Sequence, residues 1–176
     1  AFAFSAAKRV VAHNTHYAIS LDHLENGQAS EAFCGKLRCN SKGTEFAIYD
    51  DSNDPYGLKT GKPRRELGII SYKKKLLGPT ELIVVMPRVR KDGACAQFRP
   101  SQPEESMIQL FKAGRVEHMF ILRGTANVAP GGVVELYHGA QSGQSGKVVF
   151  QAHKRPEGDW AVKYMHPLSC FQAFNI

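Results

Sequence analysis

The stretch "CGKLRCNSKGTEFAIYDD", residues 34–51, reads as two short strands joined over Asn40-Ser41-Lys42-Gly43. Asn, Ser and Gly at those positions supply turn chemistry, and the flanking segments carry the residues of pleated strands. Successive side chains on a strand point to opposite faces. Cys34, Lys36 and Arg38 therefore share one face, and Gly35, Leu37 and Cys39 the other. A basic face backed by an apolar one is the pattern of an antiparallel sheet with one side on a core. Two cations on one strand are, taken alone, an ordinary solvated face, so the meaning of Lys36 and Arg38 depends on the rest of the chain.

Outward from this stretch the pattern stays mostly β. Short strands are expected at 16–21, 35–39, 45–50, 66–72, 81–87, 94–99, 118–124, 133–139, 147–153 and 159–165, separated by Gly, Asn, Asp and Pro turns. The alternation of helix and strand that builds a parallel nucleotide-binding sheet is missing. Two helices interrupt the strands. "SQPEESMIQLFKAGR" (101–115) has Ser101 as an expected N-cap, Glu104 three residues on to complete a capping box, an apolar stripe of Met107, Leu110 and Phe111, and Gly114 as its stop. This one is short and amphipathic. The second starts at Pro167 and runs through "LSCFQAFNI" with almost no polar face, so it is expected to be buried all round. An apolar helix ending a β-rich chain suggests a closed antiparallel barrel with the helix at its centre, an arrangement that also removes exposed strand edges.

The 176 residues suit a single domain spanning 1–176, with neither a low-complexity tract nor an internal repeat. The opening "AFAFSAAKRVVA" lacks a charged lead-in and is too short to cross a bilayer, so it reads as neither a secretory signal nor a membrane span. Cys34, Cys39, Cys95 and Cys170 show no metal-ligand spacing and no disulfide framework; reduced thiols in a cytosolic setting are expected. Charge is concentrated. Of the 23 Lys and Arg, 14 fall between Cys34 and Arg99 against 7 of the 16 Asp and Glu, which leaves the remainder neutral. The net charge of +7 thus belongs to one segment, and a localised anionic partner is implied: nucleic acid, a membrane surface or a phosphorylated ligand.

Several ordered motifs together resemble one family. "GKLRCNSKGTEFAIYDD" resembles the K-L-R strand, N-x-x-G-T turn and F-x-x-Y-D strand of the C-terminal domain of the tubby-like proteins. "RRELGIISYKKKLLG" resembles that family's R-x-E-L…Y…LG stretch, "LIVVMP" its apolar strand ending in Pro, and "HPLSCFQAFNI" its terminal P-L…Q-A-F helix. The resemblance covers roughly Thr15 to Ile176, and ordered motifs over such a length are more specific than any one of them. It implies a tubby-like barrel around a central C-terminal helix. It further implies a phosphoinositide-binding module without enzymatic activity, recruited to phosphatidylinositol 4,5-bisphosphate and the anionic inner leaflet of the plasma membrane. Family roles carried over residue by residue fall on Lys36, Arg38 and Arg64, and the position of a family Asn is His16 here. Adjacent ring phosphates need donors a few ångströms apart on one face, and Arg adds a planar fork. By the same resemblance the protein is expected to be cytoplasmic and peripheral at that membrane, with nuclear and ciliary pools, and monomeric. No cofactor is expected.

Other chemistries find less support. His13, His16 and His23 fit no metal spacing, no metal site is expected, and no Gly-rich phosphate loop is present. Cys34, near Lys36 and Arg38, is a candidate for a lowered thiol pKa but has no identifiable base. The competing reading is nucleic-acid binding or transcriptional regulation by the same basic face, since any polyanion is drawn to it, although no recognition helix or aromatic stacking platform supports it.

Overall fold

The central strands are built from Ile, Val, Leu and Met, the residue types that pack best on a half-buried pleated surface. In the computed structural model, which describes residues 4–11, 14–22, 24, 27, 30–52, 54–129, 131–139 and 146–176, ten strands form one sheet. These are β1 (Ser5–Val11), β2 (Asn14–Ser20), β3 (Phe33–Cys39), β4 (Glu45–Tyr49), β5 (Glu66–Lys73), β6 (Thr80–Pro87), β7 (Met119–Ala126), β8 (Val133–His138), β9 (Lys147–Lys154) and β10 (Trp160–Tyr164). Each pairs antiparallel with the next, in strict sequence order. Every neighbour in sequence is a neighbour in space, even across the long 88–118 connection from β6 to β7.

The sheet has two buried faces. Leu37 lies opposite Ile48, Phe46 opposite Ile70, and Ile70 opposite Val84. That row belongs to the main core, where Leu82, Met86, Leu122, Leu136 and Phe150 pack with Leu168 and Ala173. The alternate positions Ala47, Ile69 and Val85 lie opposite one another on the other face. They are covered by Met107, with Ile108 and Phe111 beside it, from helix α1 (Met107–Lys112). The face that carries Lys36 and Arg38 is therefore partly roofed rather than wholly solvated. On the opposite face Gly35 permits a close approach: its φ is +154°, and a Cβ there would meet the Tyr49 carbonyl oxygen at 2.2 Å and the Phe171 ring at 3.0 Å.

Four expectations need correction. The sheet is not a closed barrel, because β1 pairs only with β2 and β10 only with β9. Closure requires hydrogen bonds between the first and last strands, and here an apolar cavity of about 510 Å³ lies in that region instead. It is lined by Phe4 ahead of β1, by Trp160, Val162 and Tyr164 of β10, and by Phe174 of helix α2 (Cys170–Asn175). Consequently α2 is not buried all round. Leu168, Gln172, Ala173 and Asn175 are buried, whereas Phe174 is 41% exposed on the open side. The helix is held by its own capping box, Ser169 with Gln172, by a Gln172 amide bond to the Leu67 carbonyl at 2.7 Å, and by the Phe4 ring against Phe171 and Phe174.

The remaining corrections are local. Ser101 does not cap α1: a 3₁₀ turn at Pro103–Glu105 intervenes, Ser106 occupies the N-cap without a side-chain bond, and the Met107 amide is instead accepted by the Glu66 carboxylate of β5 at 2.6 Å. A tertiary carboxylate has replaced the local cap. Residues 94–99 form no strand beyond a single bridge from Cys95 to Val89. Conversely β1 escapes a sequence reading, since its Ala-rich run becomes a strand only through its seven-residue register with β2.

Candidate functional site

Strand register assembles the basic residues. His16 on β2 lies directly opposite Arg38 on β3, Lys36 lies opposite Tyr49 on β4, and Tyr49 opposite Glu66 on β5. Residues directly opposite share a face, so His16, Lys36, Arg38 and Tyr49 belong to one patch. Arg64 precedes β5, and its guanidinium carbon sits 3.7 Å from the centroid of the Tyr49 ring. The structure separates the two consecutive arginines. Arg65 is committed to buried Asp50, with Nε donating to Oδ2 at 3.0 Å, whereas Arg64, itself buried, turns to the patch.

Beside this patch lies a polar cavity of about 200 Å³ between the sheet and the α1 segment. Arg38, Arg64, Tyr49 and Glu66 line it from the sheet, Tyr56 from the loop after β4, and Gln109 from α1. Of the four residues expected from the sequence, Arg38 and Arg64 line the cavity itself; Lys36 and His16 adjoin it through the register. Tyr49, Tyr56, Glu66 and Gln109 were not expected. Tyr49 and Glu66 had signals in the sequence, as the aromatic of the F-x-x-Y-D strand and the Glu of the R-x-E-L stretch.

The electrostatics follow from crowding cations at a partly dry surface. Burial, then the charges of Arg64 and Arg38, push the Lys36 ammonium down to about 8, with Asp50 opposing. Burial also lowers Arg64, with the charge of Arg38 adding to it and Tyr49, Glu66 and Asp50 opposing. His16 is lowered by burial and then by Lys36, Arg38 and Arg9. Glu66 goes the other way: burial raises its carboxyl against the Met107 amide and Arg64, which favour the ionised form. Cations crowded in this way are the groups whose charged forms a neighbouring anion would favour most. Burial raises the Cys34 thiol, so the lowered pKa that its basic neighbours suggested is not found. His13 and His23 lie outside the described residues. Among the described residues no three His, Cys, Asp or Glu side chains gather as metal ligands, and no helix is long and apolar enough to cross a membrane.

The fold and site define an antiparallel β module with a cationic pocket between the sheet and the α1 segment. The family model for the Tub family matches residues 1–130, and the chain belongs to that family, whose domains are known generally as lipid-binding modules. It is similar to the Protein king tubby of Drosophila pseudoobscura pseudoobscura, 26% identical over 194 residues covering 99% of this chain and 42% of that protein. The corresponding proteins of Drosophila sechellia and Drosophila grimshawi are 26% identical over 99% of the chain and 43% of their own length. The chain thus spans less than half the length of these relatives.

Proposed function

We propose that this chain is a non-enzymatic phosphoinositide-binding module that takes the headgroup of phosphatidylinositol 4,5-bisphosphate at the inner leaflet of the plasma membrane. The observation that carries the reading is the convergence of Lys36, Arg38 and Arg64 from two different strand regions on one patch beside a polar cavity. Arg38 and Arg64 offer planar forks for phosphate oxygens, Lys36 a point charge, and His16 a further donor once protonated. Tyr49 holds the Arg64 guanidinium flat, so little freedom is lost when a phosphate binds. Membership of the Tub family supports the lipid class of the ligand. Recruitment of the protein to the membrane, and its release to the cytosol or nucleus on lipid hydrolysis, follow from a site of this kind.

The test is binding to phosphatidylcholine vesicles containing a few mol per cent of the bisphosphorylated lipid. Arg38→Ala with Arg64→Ala should abolish binding while the thermal melt stays cooperative. Binding unchanged in a folded double variant would refute the site. The rival, a nucleic acid on the same face, is separated by competition: inositol 1,4,5-trisphosphate should displace the vesicles at concentrations where duplex DNA at physiological salt does not.

A further inference from the structure

The loop between β4 and β5 carries "GLKTGK" at 57–62, with Leu58 89% exposed and followed by the exposed Lys59 and Lys62. This tip is firmly built. The carboxylate of Asp54, a buried residue, accepts the amides of Lys59 at 2.8 Å and Thr60 at 2.6 Å and the Thr60 hydroxyl at 2.9 Å. Burial opposes ionisation of Asp54, but the bonds from Thr60 and from the amides of Lys59 and Leu58 outweigh it and hold the carboxyl below its ordinary value. The Gly61 amide closes the loop onto the Gly57 carbonyl at 2.9 Å. Gly57 has a φ of +77°, and a Cβ there would meet the Pro63 nitrogen at 2.8 Å.

The same loop lines the cationic cavity with Pro55 and Tyr56. One segment therefore forms a wall of the candidate headgroup site and, two residues on, an apolar tip followed by two cations. We propose that Leu58 is a membrane wedge: it enters the interfacial layer of the bilayer while Lys59 and Lys62 stay among anionic headgroups and the cavity holds a phosphoinositide headgroup. The inference rests on the phosphoinositide reading and extends it. Charge and continuity choose the occupant, since an apolar tip with Lys59 and Lys62 just after it, in the loop that walls a cationic cavity, matches the anionic face of a leaflet. Another exposed apolar tip, Leu76 with Leu77, follows the far end of β5, whereas the cavity lies by Glu66 at its start. Eight residues of strand, about 26 Å, separate the two ends.

The experiment compares Leu58→Glu with wild type on two probes: phosphatidylcholine vesicles containing a few mol per cent phosphatidylinositol 4,5-bisphosphate, and soluble inositol 1,4,5-trisphosphate. Vesicle affinity should fall about tenfold while affinity for the soluble headgroup is unchanged. A second variant, Leu58→Trp in a Trp160→Phe background, should bind vesicles and show a blue-shifted emission on them but not with the soluble headgroup; Trp160 is the only native tryptophan. Unchanged vesicle binding by Leu58→Glu, with headgroup binding intact, overturns the wedge and leaves the headgroup site standing. Equal loss on both probes makes Leu58 part of the cavity's framework and also overturns the wedge. Self-association that Leu58→Glu abolishes without touching vesicle binding would assign the tip to a second copy instead. A wild type that binds neither probe overturns the wedge and the phosphoinositide reading together.

Discussion

Raising the pH from about 7 to about 9 should weaken headgroup binding about tenfold through one side chain, Lys36. Its ammonium is pushed down to about 8, first by burial and then by Arg64 and Arg38. A phosphate needs the charged form, so affinity follows the charged fraction: about nine-tenths at pH 7 and about one-tenth at pH 9. The corresponding free energy is about 1.4 kcal/mol. The ligand does not share in this titration, because phosphate monoesters with a second pKa near about 6 are already doubly charged across the window. Calorimetric titration of inositol 1,4,5-trisphosphate at several pH values, repeated in buffers of different ionisation heat, reads both the affinity and the proton taken up. Uptake should rise through about pH 8. The control is Lys36→Arg, whose guanidinium stays charged throughout, so its affinity should be flat whatever its absolute value. A flat wild-type profile, or the same slope in the arginine variant, would refute the reasoning. The same shift has a sign for stability. The folded-state pKa lies below the unfolded one of about 10.4, so the unfolded chain binds more protons between about pH 8 and that value, and this group's contribution to stability rises with pH there.

Other outcomes follow from neighbouring contacts. Tyr49→Leu should lower headgroup affinity about fivefold by freeing the Arg64 guanidinium, whereas Tyr49→Phe, which keeps the ring, should bind as wild type; equal losses would point to the hydroxyl instead. Replacing the exposed Lys73, Lys74 and Lys75 by Gln should weaken binding to all anionic vesicles alike and reduce its salt dependence without altering the preference among phosphoinositides; a changed preference would place these lysines in the site. His16 is held low by burial and its cationic neighbours, so bound phosphate must draw in a proton; wild type should outperform His16→Asn at about pH 6 and match it at about pH 8, and a pH-independent difference would show that His16 does not titrate against the ligand.

Local patterning alone showed which segments are strands and which residues are basic neighbours. Alternation in 34–51 set the shared face of Lys36 and Arg38, and turn residues marked off strands β2 to β10, because both are local properties of a pleated chain. The P-L-S-C-F-Q-A-F segment likewise declared a terminal helix, although the helix begins at Cys170 after the N-cap Ser169 and not at Pro167. What only the tertiary structure decided was everything that depends on long-range contact. Whether the sheet closes is set by β1 meeting β10, which are far apart in sequence, and they do not pair; the helix that an apolar run would hide is left with Phe174 on the open side. The burial of Lys36 on a face that alternation alone would call solvated, the division of labour between Arg64 and Arg65, and the capping of α1 by Glu66 instead of Ser101 all come from partners many residues away. Periodicity reports which way a side chain points, but the charge state and reach of a cation are set by what packs against it, and that partner is chosen by the fold.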